Sequence, residues 1–482
     1  MKQKYINLPW TFSSTLIRMF ITFVINYNFL SANAQELNTY LNAISKLPVK
    51  EYHTSLNVNC KKRFWRATSE WSITQVLPWA SNRYIRKAAF AKISIKSLTA
   101  NLKPANWEWD DNKFFNNQIS HPFHGALYFN SFRNNGYSFW QSVSAVLAGT
   151  YAWETIFETH VPAPNDLINT ALGGIALGEM IHRLSSVILR KKTGKINASF
   201  RETTAFLVNP VQGLNRVLYH DMGNKNGPKS RDFISVNMVA DAGIRFIENK
   251  QSKNLSKIKR EIFGRIQLEY GDPYSQFKEP FSNFSMAVEA GSSDSSNAIA
   301  VQIEGRIFGK KINASNKVEK GFSISINYEF FNNSRFSFSA QSFKANVLSS
   351  ISLYKKIELQ LKTGVGLTPL AAMPNAHMYY GEGRNYDYCT GINLQVGIGI
   401  NIANKIFYSF NCNGLGAVTV NGYKSFHSFY NYSSILRMKL HKKITLIMNS
   451  GNYFFNGNYT NFKNVHDKVR FDYIGIGYKI AL

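Results

Sequence analysis

Six side chains in the middle of the chain have the types and spacing for chemistry. His121 and His124 stand three apart in "HPFHGALYFNSFRNNG", residues 121–136. Glu154 and Glu158 stand four apart in "YAWETIFE", and Glu179 and His182 three apart in "GEMIHR". On a helix, spacings of three and four put each pair on one face. Imidazoles beside carboxylates can move protons, and the same donor set can hold a metal ion. His121, His124, Glu154 and Glu158 are therefore candidate acid–base residues, and Glu179 and His182 candidate metal ligands. No particular cofactor is implied. A structural alternative accounts for five of the six: the glutamates at 154 and 158 pair with Arg133 or Arg183, His182 donates to a backbone carbonyl, and His121 and His124 cap and pack beside Phe123 and Tyr128. Asp166 and Asn169 read as residues that cap and bridge helices. No G-x-S-x-G, Walker loop or dinucleotide fingerprint is present. A barrel lipase could still use a lone Ser and His, and Ser425, His427 and Ser428 mark where that pair would lie.

These residues need helices to position them. Residues 137–158 read as one helix, residues 162–192 as a second and residues 202–220 as a third, broken near Pro210. In the second, Asn165 is the expected N-cap and Asp166 sits in the first turn, where the helix dipole favours an anion. Ala171, Gly174, Gly178 and His182 follow one another at three, four and four, a seam that admits a close neighbour. No helix carries about 18 uninterrupted apolar residues, the length of a membrane span. The helices are expected to be buried in protein, at the periplasmic mouth of a barrel or inside it.

The barrel is read from about residue 230, where the period becomes two. "FSISINYEF" (322–330), "IELQLKTGVGL" (357–367), "INLQVGIGINI" (392–402) and "IGIGYKIAL" (474–482) alternate apolar with small or polar residues. Such alternation means half-buried strands. Stretches of about 10 residues suit tilted membrane-spanning strands. A continuous apolar outer face is a hazard in water and a requirement in lipid. About twelve strands are expected between Arg231 and Leu482. Gly364, Gly366, Gly397, Gly399, Gly475 and Gly477 fall on the face away from lipid. They suggest a narrow or occupied lumen, or simple relief of strain in a curved sheet.

The chain has 482 residues, enough for two or three units. All eight Trp lie at or before Trp153, so the two ends differ in composition. Lys2, Lys4 and Arg18 precede an apolar stretch that ends in "SANAQ", the pattern of an export signal cut after Ala34. The expected order is a signal peptide at 1–34, a periplasmic segment at 35–100, a helical module at 101–225 and an outer-membrane barrel at 226–482. A net charge of +27 favours anionic partners. Phosphate-bearing lipid fits better than nucleic acid, because no basic arm, zinc-finger or helix-turn-helix spacing occurs. Cys60, Cys389 and Cys412 form no C-x-x-C pair, and a Cys389–Cys412 disulfide or free thiols both remain open.

"HPFHGALYFNSFRNNG", "YAWETIFE", "PAPNDLINTALGGIALGEMIHRLSS" and "RETTAFLVNPVQGLNR" together resemble domain-of-unknown-function family 3943 of Gram-negative envelope proteins. The resemblance implies an envelope protein and supplies no catalytic mechanism. The expected fold is α+β: a C-terminal antiparallel transmembrane β-barrel preceded by a small helical module. A structural, gating or lipid-contacting role in the cell outer membrane is the leading expectation. Its partners would be outer-membrane lipid, including lipopolysaccharide phosphates, and the barrel-assembly machinery during biogenesis. The alternative is a barrel enzyme acting on envelope lipid or glycolipid, metal-assisted, through the six residues above.

Overall fold

A computed structural model describes residues 61–189, 198–219, 235–249 and 258–480, apart from short gaps at 294–295, 313–314, 316, 334, 355, 376, 378 and 380–383. The expected signal peptide, Cys60 and Leu482 lie outside the described residues. The alternating segments pair in sequence order, antiparallel throughout, and the first pairs with the last. The strands are β1 (Val236–Asn249), β2 (Lys259–Tyr270), β3 (Phe284–Ser293), β4 (Ser296–Ile312), β5 (Val318–Asn332) and β6 (Ser337–Tyr354). They continue with β7 (Ile357–Pro374), β8 (Tyr386–Ile402), β9 (Ile406–Asn421), β10 (Ser425–Lys439), β11 (Ile444–Tyr459) and β12 (Val465–Ile480). The fold is α+β, a closed twelve-stranded barrel preceded by a helical module. Closure pairs the edges that an open sheet would expose.

Contacts across the barrel fix which side is inside. Phe331 of β5 lies 6.1 Å from Tyr453 of β11, six strands away. Arg437 of β10 reaches Asp241 of β1 at 2.8 Å. These residues share the lumen face. The barrel's own side chains constrict the lumen, leaving cavities of about 370 and 250 Å³. Phe331, Phe336, Phe338, Phe429 and Tyr453 form an aromatic layer. Ion pairs from Arg245 to Glu261 and Glu289, and from Lys362 to Glu304, cross a polar layer. The lumen glycines make room for these groups: a Cβ on Gly477 would lie 2.5 Å from the Asp241 carboxylate. Cys389 pairs with Ala371 on the lumen face while Cys412 pairs with Val396 on the opposite one, and both thiols are free.

The outer face divides into two sectors. On one, Leu367, Ile392, Ile474, Ile476 and Tyr478 are exposed. On the other, Leu268, Met286, Ile303 and Tyr328 are successive partners from β2 to β5, and all are buried, as are Tyr386 and Tyr388 of β8. Helices cover this second sector. The expectation of a helical module at the mouth or in the lumen is corrected: the module packs against the outer wall. The reason is physical. The lumen is crossed by the barrel's own aromatic and charged side chains and its cavities are too small for a helix pair, while the outward face of β2–β8 offers large apolar side chains for helices to bury.

The helices are α1 (Phe64–Ala80), α2 (Ile95–Asn101), α3 (His121–Arg133), α4 (Phe139–Ala152), α5 (Pro164–Leu189), α6 (Ala198–Val208) and α7 (Pro210–Leu218). The small residues expected as a seam on α5 do meet a neighbour. A Cβ on Gly125 of α3 would lie 2.0 Å from the Thr170 carbonyl, and one on Gly178 would strike Phe129. α5 is long and apolar enough to cross a membrane, but it is clamped between α3 and the barrel wall. Ala163, not Asn165, is its N-cap. Asn209 caps α7 through the Gln212 amide at 3.1 Å and ends α6 where the break at Pro210 was expected. α1, in a stretch not read as helical, packs on α4: Trp71 donates to the Ala145 carbonyl at 3.0 Å and Gln75 to that of Gly149 at 2.8 Å. Its apolar residues run around the helix without a stripe, which hid it from the period of 3.6.

Candidate functional site

Three single-turn π segments bring one set of donors together. Asn116–Ser120 leads into His121, Trp153–Phe157 carries Glu154, and Asn169–Gly173 follows Asp166 within α5. Such turns widen a helix by one residue and re-aim its side chains. One donor atom each from His121, Glu154 and Asp166 lie within 4.8 Å of one another. His121 Nε2 is 3.8 Å from Asp166 Oδ1, and its Nδ1 meets the Thr170 hydroxyl at 3.2 Å. Thr170 thereby orients the ring. Glu154 accepts from the Ala163 amide at 3.3 Å, and Asp166 accepts from Asn165 at 2.7 Å. Asn165 also donates to the Tyr388 hydroxyl at 3.1 Å, which ties the cluster to β8.

Electrostatics at this cluster are one-sided. Burial raises the Glu154 carboxyl well above its usual range, and Glu158 and Asp166 push the same way. Burial raises Asp166 as well, with Asp110 and Glu158 adding to it. Burial lowers His121, against the pull of Glu158 and Asp110. Glu158 itself accepts from the Trp153 indole.

The other candidates are placed apart. His124 Nε2 donates to the Thr74 carbonyl at 2.8 Å and sits beside Tyr128, whose hydroxyl donates to Gln75 at 2.8 Å. Burial lowers His124 to about 4. Glu179 accepts from Arg133 at 2.8 Å and from Arg183 at 2.8 Å. The alternative that gave those arginines to Glu154 and Glu158 is thus corrected: the fully buried Glu179 takes both, because α3 and α5 bring Arg133 to it across the helix pair. Glu179 takes three hydrogen bonds from the two guanidiniums and none from His182. His182 donates to the Asn134 side-chain oxygen at 2.7 Å and not to a backbone carbonyl. Asp166, read as a cap, faces His121 instead.

In the barrel, Ser425 Oγ lies 2.8 Å and Asp387 Oδ2 3.8 Å from the same nitrogen of His427, Nε2. A nucleophile relay needs the serine and the acid on opposite ring nitrogens, and Nδ1 has no partner. Ser428 lies on the other face of the strand, accepting from Asn456 at 3.1 Å.

Residues 106–211 match a family model. It is the family described as Domain of unknown function (DUF3943). The DUF3943 segment thus contains α3 to α6 and the whole buried cluster. No curated protein matches the chain. Among solved structures, the KdgM porin is similar at 11% identity and a TM-score of 0.25, over 51% of this chain and 99% of that one. The outer membrane channel DcaP of Acinetobacter baumannii gives 8% and 0.26, over 51% and 97%. The translocator domain of the autotransporter NalP from Neisseria meningitidis gives 11% and 0.24, over 58% and 98%. Likenesses at this level say nothing about activity.

One signal in the sequence marks the cluster. From Asn134 to His182 there is no Lys or Arg, yet the stretch holds Glu154, Glu158, Asp166 and Glu179. Glu179 pairs with arginines from just outside that stretch, and Asp166 feels the more remote Arg384 of the barrel.

Proposed function

We propose that the chain is an outer-membrane barrel that works as a lipid-contacting structural protein, with the DUF3943 segment held against its wall inside the lipid layer. The observation that carries this reading is the division of the outer face. Every outward apolar sector is either exposed or covered by helices, and the covering helices expose apolar side chains of their own. Trp65 and Trp140 are 80% and 58% exposed, and no charged residue occurs between Asn134 and Trp153. In water such a collar would aggregate, and against acyl chains it is stable. At the rim shared by both strand termini, Lys356, Lys405, Lys439, Lys442 and Lys443 are exposed beside the apolar band. Lysines in that place suit lipid phosphates. The aromatic layer and ion pairs that cross the lumen argue against a wide diffusion channel.

The test places the folded protein in vesicles with brominated acyl chains. Wild type is expected to lose more fluorescence than Trp140→Phe. Equal quenching in the two proteins would remove the module from lipid. Planar-bilayer recordings are expected to show no stable open level, and a steady large conductance would overturn the structural role.

A further inference from the structure

We infer that His121, Glu154 and Asp166 form a divalent transition-metal site that pins the DUF3943 helices together. This inference does not depend on the lipid reading.

The donors come from three elements: the start of α3, the π turn after α4 and the first turn of α5. One imidazole nitrogen with two carboxylates is a donor set for Zn²⁺ or Mn²⁺. Tetrahedral bonds of roughly 2.1 Å would hold ligand atoms about 3.4 Å apart. The His121–Asp166 separation of 3.8 Å is near that already. Thr170 on the far ring nitrogen is the kind of partner that fixes a metal-binding imidazole.

Three other buried acids have a fixed cation, while a fourth, Asp387 in the barrel, pairs only with His427, at 3.8 Å, among the described residues. Glu179 has Arg133 and Arg183, Asp241 has Arg437, and Glu261 has Arg245. Glu154 and Asp166, each 4% exposed, have no Lys or Arg ion pair among the described residues. Two buried carboxylates side by side repel unless a proton or a cation joins them.

A second feature points the same way. Asn169 is fully buried, and neither its side-chain oxygen nor its nitrogen has a partner. It stands three residues beyond Asp166, on the same face of α5, and next to Thr170. Buried amides are seldom left without a partner, so a bound ion or its water is the natural acceptor of that capacity. Asp110 Oδ2 is likewise buried and unpartnered, and Asp110 acts electrostatically on His121, Glu154 and Asp166. Enclosure makes this a structural ion, with no open cleft for substrate.

The experiment uses the full chain, folded in detergent, stripped with a chelator, dialysed against Zn²⁺ and assayed for bound metal by mass spectrometry. Wild type is expected to hold about one equivalent and to melt higher with Zn²⁺ than without. Asp166→Asn and Glu154→Gln are expected to lose metal at least tenfold, and Glu202→Gln, on distant α6, to keep it. Gel heat-modifiability confirms that each barrel is closed, so loss of metal is not loss of fold. The inference is overturned if closed wild type binds no more Zn²⁺ or Mn²⁺ than Asp166→Asn. It is equally overturned if Zn²⁺ leaves the wild-type melt unmoved while the variants bind metal as well as wild type.

Discussion

The helix pair α3–α5 carries a buried acidic cluster at each end, and the two ends solve opposite problems. At one end Glu179 meets Arg133 and Arg183. Burial alone would raise its carboxyl, yet the two guanidiniums outweigh that and bring it down to about 2. At the other end Asp166 and Glu154 meet each other and His121, and burial raises both. Residue type, depth and helix pair are the same. The neighbours differ: guanidiniums touch Glu179, whereas at Asp166 the acids Asp110 and Glu158 outweigh the pull of Arg384. A buried carboxylate is therefore not itself a sign of function. One without a permanent cation is the informative case.

The sharpest way to break this comparison is to remove the acid from the compensated end. Glu179→Ala leaves two buried guanidiniums without their anion. Truncating one partner of a buried ion pair costs about 3–5 kcal/mol, and denaturant unfolding should show a loss of that size. A change under about 1 kcal/mol would mean that water reaches the arginines, and the contrast between the ends would dissolve. A smaller effect is expected where the helices cross. Gly125→Ala places a Cβ 2.0 Å from the Thr170 carbonyl, which is backbone and cannot step aside. Overpacking of this kind costs about 1–3 kcal/mol. Because Thr170 also holds His121, the same change should lower metal retention, whereas the Arg183–Glu179 pair, within one helix, should persist.

The barrel was legible because a period of two survives whatever the strands touch. Ile474 and Ile476 alternate with glycines that face the lumen, and strand pairing followed directly. The seam on α5 was legible for a similar reason: Gly174 and Gly178 can only mean close approach. The side of the wall that takes the helices was not legible. Tyr328 and Ile476 share the outward face of the barrel, yet one lies under α3's leading turn and the other is open. An apolar outward residue reads the same whether lipid or protein covers it. The clusters were half legible. Spacing placed Glu179 and His182 on one face but could not say that Arg133 arrives from α3. Asp166 in a first turn looked like a dipole partner, and only the π turns, which sequence period does not reveal, aim it at His121.

The subtlest expected effect sharpens the comparison through pH. Asp166 has a folded pKa raised well above its unfolded value of about 3.8. The metal-free native state then binds more protons than the unfolded state above that pH, so its stability falls as pH rises from about 4 through the raised pKa. Asp166→Asn removes the titration and should make the stripped protein more stable at neutral pH. The gain should shrink toward pH 4. Glu179 behaves oppositely. Its stabilisation is fully present above its unfolded value of about 4.5 and is lost only as pH falls through about 2. Between pH 5 and 8 the penalty of Glu179→Ala should thus be flat while the gain of Asp166→Asn grows. Unfolding midpoints of the two stripped variants across that range measure both slopes. Zn²⁺ should invert the sign at Asp166 and leave that at Glu179 alone, since an ion replaces the proton at only one end of the pair.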